Sequence, residues 1–137
     1  LVRQHLSSEL GFSKEHRSIN VKRIGYVASE ITKNRGIAIC APIAPYESDR
    51  VFNKELISTY GGYVEVFVST PLEVCEERDS KGLYVLARKG VIKEFTGISD
   101  PYEEPKNPDI IIDSSKENPE ILIEQIINKI KSLGYMS

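Results

Sequence analysis

With 137 residues, 40% of them hydrophobic and 28% charged, the chain fits one domain large enough to bury a core. Its 18 basic and 20 acidic residues are interspersed and leave a net charge of −2, which excludes a nucleic-acid or membrane partner recruited by bulk charge. The apolar runs are short and interrupted, so neither a membrane span nor a signal peptide is expected.

Cys40 and Cys75 stand without a CxxC pair or a histidine cluster. The pattern predicts two reduced, buried thiols in a cytoplasmic protein rather than a zinc site or a disulfide framework. His5 and His16 are isolated and read as solvated helix residues. The run LVRQHL at the start is amphipathic and uncapped, and reads as the interior of a longer sequence.

In chain order, residues 1–8 predict a short helix ending near Leu10 and Gly11. Ser13 is placed to cap a longer helix that runs to about Arg35 and is closed by Gly36. Within it Ile24, Val27, Ala28 and Ile31 recur at helical spacing as a buried stripe. Followed toward the N-terminus, that stripe reaches Asn20 and Arg17, as on a helix whose first turn faces a ligand. Residues 37–41, IAICA, are apolar on both parities and predict a strand covered on both faces. A helix over 48–59, stopped by Gly61 and Gly62, and a strand over 63–69 follow. Thr70, Pro71, Leu72 and Glu73 have the form of a capping box with proline at the first helical position. Residues 109–113 predict a third buried strand. Asn118 and Pro119 open a last helix with Leu122, Ile123, Ile126, Ile127, Ile130 and Leu133 inward. Alternating strands and helices predict an α/β layered domain with a mainly parallel sheet.

In such sheets ligands sit beyond the carboxyl ends of the strands. There the chain places CAPIAPY (40–46), TPLEVCEERD (70–79) and DSSKEN (113–118). Prolines on both sides of Ile43 and Ala44 would hold that backbone extended, either as a platform for a flat ligand or as an ordinary connection. Arg78, Lys81, Arg88, Lys89 and Lys93 cluster around Gly82 and Gly90, either as a basic flap over anionic oxygens or as a solvated face. Phe12 and Phe95, each in a glycine-containing polar stretch, are either small satellite cores or stacking platforms for a ring.

The segments LVRQHLSSELGFSKEHR, IAICAPIAPY, GGYVEVFVSTPLEVCEERDSKGLYVLARKGVIKEFTGISDPYE and IIIDSS occur in an order that resembles the adenylylsulfate (APS) kinase family over at least residues 1–115. The wording of CAPIAPY and GGYVEVFVSTPLEVCE is most similar to kinase domains joined to ATP sulfurylase. The resemblance implies a P-loop kinase-type three-layer domain with a mainly parallel sheet over 1–137. Its APS-binding helix spans about 13–35 and its lid about 78–100. It implies transfer of a phosphoryl group from ATP, with Mg²⁺, to the 3′-hydroxyl of APS, giving 3′-phospho-APS (PAPS). By the same resemblance Arg3 and Lys81 serve catalysis. Arg17 and Asn20 hold the phosphosulfate, and Phe12 and Phe95 sandwich the APS adenine. The backbone of Ile43 and Ala44 lies along the APS nucleoside, Arg3, Lys81 and Leu83 also bind APS, and Arg78, Asp113, Ser114 and Ser115 border the ATP adenine. A homodimer and an associated ATP sulfurylase are the implied partners.

Two departures qualify this. Many bacterial members carry a phosphorylatable serine where this chain has Ala44, so that covalent route is closed. No GxxxxGK[ST] occurs, and no lysine directly follows any of the nine glycines. The resemblance puts that P-loop, the first strand or strands and the Mg²⁺ ligands upstream of Leu1, and residues 1–137 alone are expected to be inactive. The alternatives are a regulatory PAPS-binding domain of an ATP sulfurylase without kinase activity, and a P-loop-less interaction module.

Overall fold

The computed structural model describes residues 2–136. They form two compact units, one running up to Tyr63 with Tyr102–Glu104 added, the other of Val64–Pro101 and the residues from Pro105 onward.

The first unit is helical: α1 (Val2–Leu6), α2 (Lys14–Lys33) and α3 (Glu47–Ser58). Ser13 caps α2 as expected, its Oγ accepting the His16 N–H at 3.3 Å. At the other end Gly36 and Arg35 donate their N–H groups to the Ile31 and Thr32 carbonyls, each at 2.9 Å. This closes the helix in a Schellman arrangement. The left-handed residue is Arg35 (φ 63°), not glycine. Gly36 is needed for clearance instead, since a Cβ there would meet Ile31 Cγ2 at 2.7 Å.

The buried face of α2 is Val21, Gly25, Ala28 and Ser29. It packs on α3, whose buried residues are Asp49, Arg50, Asn53 and Ile57. The expected stripe is therefore corrected: Ala28 is buried, Ile24 half-buried, and Val27 and Ile31 exposed. The neighbour and not the apolar periodicity chose the face: Asn53 of α3 sits directly over Gly25, and Asp49 accepts the Ser18 hydroxyl at 2.6 Å. Residues 37–41 correct a second expectation. They belong to no strand among the described residues, and Ile37 and Ile39 are 79% and 94% exposed. A strand needs a neighbour to satisfy its amides, and this stretch has none, which also leaves Cys40 exposed rather than buried.

The second unit carries the sheet. β1 (Val66–Val68) and β2 (Ile110–Ile112) pair in parallel, Val66 opposite Ile110 and Val68 opposite Ile112. Both are shorter than the predicted strands, and Ile111 on β2 is exposed rather than buried. The pairing is opened by the Asp109 carboxylate, which accepts the Glu65 N–H at 2.8 Å. It is closed by the Ser69 N–H donating to the Ile112 carbonyl at 2.7 Å.

After β1 come α4 (Leu72–Arg78) and α5 (Leu83–Arg88); after β2 comes α6 (Pro119–Ser132). Asn118 caps α6 as predicted, accepting the Ile121 N–H at 3.1 Å. Of the expected inward residues Leu122 is buried and Ile126 and Ile130 half-buried, while Ile123, Ile127 and Leu133 are exposed. No capping box forms at Thr70. Pro71 occupies the N-cap of α4 without a side-chain bond, because the Thr70 hydroxyl is committed to Ser114. The result is α/β with a small parallel sheet. Among the described residues no helix is long and apolar enough to cross a membrane.

Candidate functional site

In the first unit the loop between α1 and α2 is tied from both sides. The Arg3 guanidinium donates to the carbonyls of Leu10 (3.1 Å) and Gly11 and lies 4.3 Å from the Phe12 ring centroid. The Gly11 N–H donates to His16 Nδ1 at 2.8 Å. His16 is thus a loop anchor and not a merely solvated residue. Phe12, held between them, is 65% exposed. Such an open ring beside a cation is a stacking surface.

One helical turn into α2, Arg17 stands 5.6 Å from the ring of Tyr46, with Lys14 at 5.0 Å from the same ring. Tyr46 is 4% exposed. Its buried ring gathers two cations near the start of α2, a field suited to an anionic group. Asn20 Oδ1 is buried with no hydrogen-bond partner among the described residues. Buried acceptors are ordinarily satisfied, so this amide stands out.

The backbone between the prolines is not extended. Ala44 is left-handed at φ 43°, a conformation that costs a residue with a Cβ roughly 1–3 kcal/mol. The buried Arg50, from the first turn of α3, donates to the Ala44 carbonyl at 2.7 Å. Arg50 carried no signal in the sequence beyond its charge, whereas Tyr46 closes the CAPIAPY loop already singled out there.

In the second unit the carboxyl ends of both strands form a polar corner. Arg78, at the end of α4, donates to Ser114 Oγ and to the Ser114 carbonyl, both at 2.8 Å. Thr70 Oγ1 lies 2.8 Å from Ser114 Oγ and accepts the Ser114 N–H at 3.1 Å. Asp113 accepts from the Ser115 hydroxyl (2.6 Å) and N–H (2.9 Å) and pairs with Lys116 at 3.3 Å. The Ser115 bonds, with Lys116, hold the Asp113 carboxyl below its ordinary range. Arg78, Asp113, Ser114 and Ser115, which the family resemblance groups, lie together at this corner, Arg78 bonded to Ser114 and Asp113 to Ser115.

Beside that corner, Cys75, Arg78, Asp79, Ser80, Lys81, Leu83, Tyr84 and Phe95 line a cleft of about 270 Å³. Asp79 shapes it, its two carboxylate oxygens accepting the Tyr84 and Val85 N–H groups at 3.1 Å and capping α5. Phe95 meets Tyr84 edge-on, centroids 5.1 Å apart. Burial and the neighbouring Cys75 push the Tyr84 hydroxyl above its ordinary pKa. Cys75 is half-buried. The basic cluster is divided rather than uniform. Arg88 grips Glu76 with two bonds (3.0 and 2.5 Å), Arg78 faces Ser114, and Lys81, Lys89 and Lys93 are exposed.

Among the described residues no three His, Cys, Asp or Glu side chains converge on a possible ion position, and no GxxxxGK[ST] hydroxyl is available.

In α/β proteins with parallel strands, the loops at the carboxyl edge of the sheet are where ligands sit. Comparison with known proteins is more specific. The adenylylsulphate kinase family model matches residues 1–113. A sulfate adenylyltransferase of Aspergillus terreus is 50% identical over 135 residues, which are 98% of this chain and 24% of that protein. One from Neurospora crassa is 45% identical over the same length and shares. The Mycobacterium tuberculosis APS kinase, solved in complex with AMPPNP and APS, superposes with a TM-score of 0.90 at 34% identity, over 95% of this chain and 75% of that one. A hexameric APS kinase from Thiobacillus denitrificans is 43% identical with a TM-score of 0.74, over 99% of this chain and 22% of that one. The chain belongs to the adenylylsulfate kinase family. It spans about a quarter of the length of the curated relatives it matches.

Proposed function

We propose that the protein carrying these residues phosphorylates the 3′-hydroxyl of APS with ATP, giving PAPS and ADP, as a cytoplasmic homodimer joined to or associated with ATP sulfurylase. The observation that supports this most is the cleft of the second unit, which gathers Arg78, Lys81, Leu83 and Phe95 against one surface. In this reading Arg17 and Asn20 grip the phosphosulfate. Arginine suits the task because its fork stays charged and can hold two oxygens. Phe12 and Phe95 offer rings to the APS adenine, and the backbone of Ile43 and Ala44 borders the nucleoside. Arg78, Asp113, Ser114 and Ser115 border the ATP base, Lys81 brings charge to the phosphates, and Arg3 holds the Phe12 loop in place. Phosphoryl transfer depends chiefly on positioning and charge stabilisation. Mg²⁺ and the P-loop amides would be supplied by a part of the three-layer kinase fold outside these residues.

A second reading is a PAPS-sensing regulatory domain without kinase activity. It draws on the matches to sulfate adenylyltransferases. A coupled assay of ADP release by the full-length protein separates the two. APS-dependent turnover supports the kinase. No turnover, with sulfurylase activity altered by added PAPS, supports the regulator.

A further inference from the structure

We infer that Arg50, working with Glu103, is a positioning residue that sets the shape of the Ile43 and Ala44 backbone for the nucleotide substrate. Ala44 is left-handed at φ 43° and is followed by Pro45, which crowds the preceding residue toward extended backbone. Such a conformation persists only where its surroundings over-determine it. Arg50 does this from the first turn of α3. Its Nη1 donates to the Ala44 carbonyl at 2.7 Å, and its Nη2 to the Glu103 carbonyl at 2.6 Å and the Glu47 carboxylate at 2.5 Å. Its guanidinium carbon stands 5.8 Å from the centre of the Tyr102 ring. Glu103 grips the same loop from the other side. Its N–H donates to the Pro45 carbonyl at 2.8 Å, and its carboxylate accepts the Glu47 N–H at 2.7 Å. That second bond caps α3, whose N-cap residue Tyr46 offers no side-chain bond of its own.

A buried arginine at a helix start ordinarily serves only the fold. Here the carbonyl it holds belongs to the one left-handed residue between two prolines, in the loop that borders APS in the proposed function, on which this inference rests. Only a planar fork can hold three acceptors in that arrangement; a lysine ammonium cannot reproduce it.

The test compares wild type, Arg50→Lys and Glu103→Gln in the full-length protein by calorimetry with APS and with a non-hydrolysable ATP analogue, alongside thermal melting. APS affinity should fall by about tenfold in Arg50→Lys, the size of one lost charge-assisted hydrogen bond. It should fall by about threefold in Glu103→Gln, which keeps the shape of the cap without its charge. Analogue affinity should hold in both. Glu103 is exposed, so that variant decides the matter if Arg50→Lys does not fold. Wild-type APS affinity in both variants overturns the inference alone, as does parallel weakening of both ligands with a lowered melting point. A wild-type protein that does not bind APS overturns the proposed function, and this inference with it.

Discussion

Arg17 shows how a single residue gains its setting from a neighbour distant in sequence, since Tyr46 places a buried ring 5.6 Å from its guanidinium. In the full-length protein Arg17→Ala should remove a charge-assisted bond worth about 1.5–3 kcal/mol. Calorimetry should show APS binding weakened about tenfold or more and ATP binding little changed; weaker ATP with unchanged APS would assign the α2 N-terminus to the other substrate. At Phe95 the edge-on contact with Tyr84 gives the ring a local packing role beside the ligand-facing one proposed for it. Stacking on a base contributes about 1–3 kcal/mol by alanine substitution, so Phe95→Ala should weaken APS markedly and Phe95→Tyr only mildly. A lower melting temperature with unchanged APS affinity in Phe95→Ala would show that the ring serves Tyr84 alone.

Among the elements, the pairing of α2 with α3 depends on Gly25. A Cβ there would lie inside the Asn53 carboxamide, which donates to the Val21 carbonyl at 3.1 Å. Gly25→Ala should therefore destabilise the fold by about 1–3 kcal/mol, the ordinary cost of overpacking. Denaturant midpoints measure this, and an unshifted midpoint would mean that α3 tolerates a wider spacing. The contact of α4 with α5 rests on Glu76 and Arg88, and the guanidinium bonds hold the Glu76 carboxyl below the ordinary glutamate value. A depressed carboxylate stabilises the folded state above its unfolded pKa of about 4.3 and loses that contribution as pH falls through the lower, folded value. An NMR titration should place the Glu76 midpoint below that of a free glutamate, and Arg88→Met should move it back up. Equal midpoints in the two proteins would show the pair to be too solvated to matter.

Across the whole molecule, the residues read as binding substrate are present while the phosphate cradle is not among the 137 residues. A loop without the P-loop lysine and its amides supplies little transition-state stabilisation. Purified residues 1–137 should thus release no ADP in the presence of ATP and APS. Turnover near that of the full-length protein would mean that some other element in these residues binds the phosphates. Tyr26, Val27 and Ile31 surround a shallow apolar hollow of about 460 Å³, and Ile37 and Ile39 are also exposed.

Much of this was legible in the sequence wherever the signal is local. Ser13 and Asn118 cap because a short polar side chain before a helix has one nearby N–H to accept, and no distant residue is needed. The family, too, was readable from ordered segments that the match over 1–113 bears out. The tertiary structure alone decided what depends on a neighbour. Thr70 caps nothing because Ser114, distant in sequence, takes its hydroxyl. The stripe of Ile24, Val27 and Ile31 lost its place to Gly25 and Ser29 because the facing helix is polar. Ala44 turned left-handed between two prolines because Arg50 and Glu103 hold its loop from outside it. Residues 37–41 have every local property of a strand and pair with none, because a strand is a relation between segments and no stretch of sequence carries its partner within itself.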